Sequence, residues 1–261
     1  MILLRIRWVP QGRPRAQGAS SMDENRGDER AYRAVMEPQG LRCFCLKIGE
    51  SDLYVCTAGD TLEVARASLE RHRAELESYL ASHSTFGTSF KPVPAASGAP
   101  EIVADMAAAG EAFGVGPMAS VAGAIAQWVG SDLLAGSSEV IVENGGDIFL
   151  AGGGRRRIRI FAGADSRDVD IIVQDSAGGI GVCTSSATVG PSVSFGAADA
   201  VTVIAPTATI ADAAATAIGN VVLRPRDIEA GLEMASSFED VDGAVIMLQG
   251  SMGAWGKVEI A

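Results

Sequence analysis

The 261 residues carry 32 acids against 21 Lys and Arg, a net charge of −11, and 48% of them are hydrophobic. That balance excludes disorder over most of the chain, and it leaves no basic surface of the kind a general nucleic-acid binder needs. At about 150 residues per domain the length allows one large domain or two small ones, and 31 glycines call for many tight turns.

The chain starts with a short apolar patch broken by Arg5 and Arg7, which makes a poor signal peptide. Residues 1–29 read as a flexible leader, with Met22 as an alternative start, and residues 30–261 as one domain. No segment approaches about 18 uninterrupted apolar residues, so no membrane span is expected. Cys43, Cys45, Cys56 and Cys183 form no Cys-x-x-Cys pair, and only two histidines accompany them. A structural zinc site is therefore not expected. Buried free thiols in a reducing cytoplasm are the reading preferred over a redox pair.

Leu41–Ile48 and Leu53–Thr57 are apolar runs around Gly49–Asp52, the pattern of a hairpin. Leu62, Ala65, Leu69, Leu76 and Leu80 recur at near-helical spacing and predict a helix over 61–82. His72 and His83 on it read as solvated surface residues. Residues 84–99 read as loop. Pro100 opens a helix to Phe113, and Pro117 opens another to about Ala135.

The second half turns to strands: Glu139–Val142, Ile148–Ala151, Arg157–Phe161, Ala200–Ala205, Ala244–Leu248 and Trp255–Ile260. Val169–Val173 and Gly181–Thr184 are expected to form a hairpin around Asp175–Gly179. Arg155, Arg156 and Arg157 read as exposed charge at a hairpin tip. Residues 207–223 are Ala-rich and helical, and Asp227 caps a last short helix. Helices and strands come in mixed blocks, so the expected class is α+β with a mixed, mainly antiparallel sheet and packed helices.

Three segments could carry chemistry. Asp212 and Thr216 are four apart in an otherwise apolar helix, so they share a face one turn apart. A hard carboxylate and hydroxyl pair suits Mg²⁺ with water and phosphate oxygens. The alternative is an acid favouring the helix dipole and a threonine bonding a carbonyl one turn back. In Asn144-Gly145-Gly146-Asp147 the glycines permit close approach of a ligand, though they equally mark a bulge or tight hairpin. Cys183-Thr184-Ser185-Ser186 follows a strand and is dense in hydroxyls; it can face phosphate or form a solvated turn.

Together these segments resemble the ApbE superfamily of flavin-transferase-like proteins. Asn144–Ile148 is similar to its Gly-Gly-(Asn/Asp/Glu)-Ile turn, and Gly181–Ser186 to its "ATSG" loop. Ala211–Ala217 is similar to its "ADALATA" helix, and Gly116-Pro117-Met118-Ala119 stands at its "GAIAKG" entry. All four keep their order. The likeness spans roughly residues 30–223 and is closest to a branch without an assigned activity, through Val115–Ala126, Glu143–Leu150 and Ser194–Val201.

The resemblance implies a T-fold-like α+β architecture, binding of FAD and Mg²⁺, and transfer of FMN to a protein Thr or Ser. It implies Asp212 and Thr216 as metal ligands, joined by a backbone carbonyl at Met118 or Ala119. Gly145, Gly146, Asp147, Thr184, Ser185 and Ser186 would border the flavin nucleotide. Departures are plain. Ser120 stands where the transferases have Lys, and Ser186–Ala200 holds neither their Tyr and Arg nor their His-x-x-Asp-Pro segment. Ala187, Pro191 and Ala197 stand where the nearer branch has Gly, His and Lys. Asp147 and Asp199 are the candidates for a base.

Three readings follow: a Mg²⁺-dependent flavin transferase or pyrophosphatase; a module that binds a flavin or other phosphorylated small molecule without transfer; and an oligomeric scaffold with a degenerate site. In the last, Ala- and Gly-rich helices supply a flat interface. No nucleic-acid or membrane partner is expected, and a homodimer is expected by fold analogy.

Overall fold

The computed structural model describes residues 4–8, 40–161, 167–187 and 195–261. Strand β1 (Leu4–Trp8) is followed by β2 (Arg42–Ile48) and β3 (Ser51–Thr57), the expected hairpin. Helix α1 (Leu62–Ser82) and the short α2 (Ser84–Thr88) lead to α3 (Glu101–Phe113). A 3-10 turn at Pro117–Ser120 feeds α4 (Val121–Leu133). Then come β4 (Val140–Asn144), β5 (Asp147–Ala151), β6 (Arg155–Ile160), β7 (Val169–Gln174), β8 (Ile180–Ser185) and β9 (Ala200–Ala205). Helices α5 (Ala208–Val221) and α6 (Ile228–Ser237) precede β10 (Gly243–Leu248), β11 (Ser251–Gly256) and β12 (Glu259–Ile260).

The class is α+β, and the strand pairings are antiparallel, as expected. An eight-stranded sheet runs β11-β10-β9-β8-β5-β4-β3-β2, and a four-stranded sheet runs β1-β6-β7-β12. Period-two alternation sorts the large sheet into two faces. Val142, Phe149, Cys183, Val201 and Val203 face the helices, which close one core. Ile141, Ile148, Leu150, Val182 and Ile204 face Ile158, Ile160, Ile171 and Val173 of the small sheet, which close a second. The result is three layers: helices, large sheet, small sheet.

Several expectations need correction. The expected β7–β8 hairpin does not form, because β7 belongs to the small sheet while β8 lies between β5 and β9. The segment after β7 is tied back to the β5–β6 turn, where the Gly152 amide donates to Ser176 O at 3.1 Å and the Asp175 amide to Gly154 O at 3.0 Å. That hold steers the chain into the other sheet. Arg156 is not exposed hairpin charge. It points into the core at 2% exposure and pairs with Asp175 at 3.1 Å and Glu139 at 2.8 Å. His72 is likewise buried, with Nε2 3.1 Å from Asp132 Oδ2 and its ring against Trp128.

Cys43 and Cys56 are directly opposite across β2–β3 and form a disulfide, leaving Cys45 exposed and only Cys183 as a buried free thiol. The step from thiol usage to a reducing compartment therefore loses its basis. The small residues of α5 do not form an outer interface: Ala211, Ala213, Ala214, Ala215 and Ala217 are all buried inside the chain. Of the expected leader, Leu4–Trp8 pair with β6, and residues 9–29 lie outside the described ones. Among the described residues no single helix is long and apolar enough to cross a membrane.

Candidate functional site

The β4–β5 turn is Gly145-Gly146, with φ of 66° and 110°. Both values lie where glycine alone is unstrained, so this pair gives a two-residue hairpin turn. The turn sets Asn144 directly opposite Asp147. Alternation from Val142 and Phe149 turns both side chains toward the helices. Asn144 Nδ2 donates to Ala122 O at 3.1 Å, fixing the turn against the first turn of α4. Behind it, the fully buried Glu143 accepts from the Gly146 amide at 3.0 Å through Oε1.

Asp212 reaches the same place from α5. Its Oδ2 accepts the Gly123 amide at 2.9 Å. Gly123 lies in the first turn of α4, whose early amides have no partner within the helix. Asp212 thus serves as a cap supplied from another helix, and the α4 dipole favours its charge. The contact is reciprocated, because Gln127 Oε1 of α4 accepts the Ala208 amide that opens α5, at 2.8 Å. Close approach depends on Gly123: a Cβ there would lie 2.2 Å from Ala208 O and 2.7 Å from Asp212 Cβ.

One turn along α5, Thr216 Oγ1 lies 3.5 Å from Ala119 O. Met118 and Ala119 are half-buried on the 3-10 turn, while Ser120 is fully buried and donates to Pro117 O at 3.0 Å. Two oxygens bound side by side to one Mg²⁺ at about 2.1 Å lie roughly 3 Å apart, close to the observed Thr216–Ala119 spacing. Asp212, Thr216 and the Ala119 carbonyl would offer a cation oxygens only, and Mg²⁺ commonly takes one carboxylate and completes its shell with water and phosphate. Among the described residues no group of three His, Cys, Asp or Glu forms a metal cluster. A fit to a soft or imidazole-bound metal is therefore not offered by this site.

The electrostatics point the same way. Burial, and then the neighbouring Asp212 charge, push the Asp147 carboxyl well above the usual range. Burial pushes Asp212 up to about 7, against the pull of the Gly123 and Ala122 amides. Cys183 lies between them in effect. Burial first, and then Asp147 and Asp212, push its thiol up, and Sγ donates to Ala208 O at 3.3 Å. This cysteine is no nucleophile.

The hydroxyl loop divides. The Thr184 amide donates to Asp147 Oδ1 at 3.3 Å, but the Thr184 hydroxyl turns to the opposite face and pairs with Thr202 Oγ1 at 2.9 Å. Ser185 lies beside Gly219 of α5, where an added Cβ would sit 3.5 Å from its Oγ. Ser186 is buried. Asp199 is occupied in the fold, with Oδ2 accepting the Gln249 amide at 2.7 Å at the β10–β11 turn. Sequence reasoning missed the part of Asn144 and Gly123. The register of Asn144 with Asp147 was the available signal for the first; nothing local marked the second.

The family model described as "AbpE bacteria" matches residues 33–253. A UPF0280 protein of Methanococcoides burtonii is 40% identical over 200 residues, covering 76% of this chain and 84% of its own. A UPF0280 protein of Methanocaldococcus jannaschii is 46% identical over 196 residues, covering 72% and 79%. Among solved structures, the flavinyl transferase ApbE of Pseudomonas stutzeri in apo form aligns with TM-score 0.54 at 18% identity, over 82% of this chain and 94% of that one. The flavin transferase ApbE of Vibrio cholerae aligns with TM-score 0.57 at 12% identity, over 84% and 97%. At these identities the structural likeness establishes the fold.

Proposed function

The chain belongs to the ApbE family, and we propose that it binds a flavin nucleotide, or another small molecule with a pyrophosphate, through a Mg²⁺ ion held by Asp212, Thr216 and the Ala119 carbonyl. One observation carries the reading. Asp147 is buried and the neighbouring Asp212 half-buried, and among the described residues neither is ion-paired to a Lys or Arg. Buried charge of one sign is costly unless a counter-charge joins it. A bound Mg²⁺ would neutralise the pair and polarise phosphate oxygens.

The chain's own groups have distinct parts in this reading. Asp212 and Thr216 orient the cation from one helix face. The bare Gly145–Gly146 turn lets a phosphate approach the backbone, and Asp147 borders it with the Thr184–Ser186 loop. The Ser185 hydroxyl is the side chain of that loop set against α5; Thr184 contributes its amide by holding Asp147.

Binding without transfer is favoured over FMN transfer by two observations. Ser120 presents no positive charge and is spent on Pro117 O. Asp199 accepts the Gln249 amide at the β10–β11 turn, and Asp147 accepts the Thr184 amide and faces the cation, so in this reading both candidate bases have other partners than an acceptor hydroxyl. The homodimer remains part of this proposal and is read by sedimentation.

The test uses Mn²⁺ as a spectroscopic stand-in for Mg²⁺. One Mn²⁺ per chain, displaced by Mg²⁺ and weakened in Thr216→Val, supports the site. Equal Mn²⁺ binding by wild type and by Asp212→Asn rejects it. Incubation with FAD, Mg²⁺ and a Thr-bearing acceptor peptide then separates binding from transfer, since transfer leaves FMN on the peptide.

A further inference from the structure

The eight-stranded sheet has two edges, and they are built differently. At one, β11 carries Gly253 and ends at Gly256, whose φ of 82° turns the chain toward β12 in the small sheet. Glycines and a sharp exit of this kind blunt an edge against further pairing. At the other, β2 runs from Arg42 to Ile48 without glycine or proline and in unbroken register with β3. Among the described residues nothing pairs with its outer side. The Cys43–Cys56 disulfide pins it to β3, so this edge is held in place before any partner arrives.

The register fixes which backbone groups point outward. Cys43 and Cys56 have Cα atoms 4.2 Å apart, the close spacing of a pair that shares no backbone hydrogen bonds, for which about 4.5 Å is usual. The N–H and C=O of Cys43 therefore point away from β3, and alternation sends those of Cys45 and Lys47 the same way. Cys45 is the middle residue of the strand. A second β2, antiparallel and related by a two-fold axis at Cys45, meets all three with matching groups. Cys45 then faces Cys45 of the second copy, and Cys43 faces Lys47 of the second copy, each pair exchanging both hydrogen bonds. Phe44 falls opposite Leu46 of the second copy. The exposed Arg42 falls opposite Ile48, beside the turn that carries the exposed Glu50. No like charges stand directly opposite, which a sheet would resist. Phe44 and Ile48, half-buried at the rim of the helix-side core, gain cover at the seam.

We propose that the outer edge of β2 is the interface of the homodimer: two copies join their large sheets edge to edge through β2, with the two-fold axis at Cys45. This rests on the homodimer proposed above and is independent of the cation site. The contact is isologous and closes on itself. It also covers the open strand edge that a lone copy leaves to chance pairing. The exposed Cys45 side chain stands on the sheet face, so pairing through the backbone leaves its thiol within reach of small reagents.

The experiment is sedimentation velocity over a concentration series, without FAD or Mg²⁺, paired with amide hydrogen exchange. Wild type and Cys45→Ser are expected at twice the chain mass at high concentration. Cys45→Pro removes an outward N–H and no bond to β3, a change an edge strand tolerates. It is expected to weaken dimerisation about tenfold or more with circular dichroism unchanged. In wild type the Cys43, Cys45 and Lys47 amides are expected to gain protection as the dimer forms, while those of Phe44 and Leu46 stay protected throughout; this reading depends on no variant. Diamide, which takes two protons and two electrons from a pair of thiols, is expected to link the copies through Cys45, because a hydrogen-bonded pair has Cα atoms about 5.5 Å apart, within disulfide reach. A dimer whose three outward amides stay unprotected, or one that Cys45→Pro leaves at full strength, overturns the β2 interface and leaves the homodimer standing. A monomer at every concentration overturns both. A monomer in which the three amides are already protected assigns the edge to another segment of the same chain and overturns the proposal.

Discussion

Asp212 Oδ2 receives the Gly123 amide hydrogen at 2.9 Å across the α4–α5 contact, at a point where no side chain fits between the two helices. The contact aims the carboxylate at the β4–β5 turn. A methyl group at 123 would meet Ala208 O and Asp212 Cβ below contact distance. Gly123→Ala should therefore separate the helices and displace Asp212. Overpacking of this kind costs roughly 1–3 kcal/mol. Chemical denaturation should show that loss, together with weaker Mn²⁺ binding. Unchanged stability and unchanged Mn²⁺ affinity would show that the α4–α5 contact does not set the site.

The Asp212 carboxyl is pushed up to about 7 by burial, whereas an unfolded aspartate titrates near 3.9. The folded chain holds this proton more tightly than the unfolded chain. The stabilising contribution is thus complete below about pH 4 and is lost as pH rises to about 7. Metal-free wild type should lose stability relative to Asp212→Asn across that window. Saturating Mg²⁺ should close the gap at pH 8 and do little at pH 5. Parallel stability curves for the two proteins, with no response to Mg²⁺, would remove the basis for a charged Asp212 in the folded state.

Arg156 is 2% exposed, and its guanidinium bridges Asp175 and Glu139 between the two sheets. Removing one member leaves a buried charge unpaired. Arg156→Ala should cost about 3–5 kcal/mol in denaturant titrations. Arg156→Met combined with Asp175→Leu should cost less than Arg156→Ala alone, because the buried carboxylate is gone and the remaining Glu139 is part-exposed to water. Additive losses would mean that the two side chains act independently.

Thiol counting separates the four cysteines. Cys45 is exposed and should react at once in the native protein, while Cys183 should react only on unfolding. Cys43 and Cys56 should appear only after reduction. Immediate reaction at two or more sites in unreduced native protein would contradict the assignment.

What the sequence made legible was mostly local. The spacing of Asp212 and Thr216, the Gly145–Gly146 hairpin, the amphipathic α1 and the buried β9 strand were all visible in runs of a few residues. What escaped depended on partners far along the chain. β7 reads like half of a hairpin with β8 until the hold of Asp175 and Ser176 on the β5–β6 turn sends them to different sheets. Arg156 and His72 look like surface residues until Asp175 and Asp132 meet them in the interior. The Ala-rich faces look like an outer interface because small residues permit close packing. Here the close packing is internal, between α4, α5 and the large sheet. The site shows the same division: its residues were recognisable as motifs, but Gly123 as anchor of Asp212 required the two helices to be seen together.

The most direct test is calorimetric titration of FAD into wild type and Asp212→Ala, each with and without Mg²⁺. The account predicts saturable binding by wild type only when Mg²⁺ is present, and its loss in Asp212→Ala. Equal binding by both proteins, or FAD binding indifferent to Mg²⁺, would contradict a cation held at Asp212 as the link between this fold and its ligand.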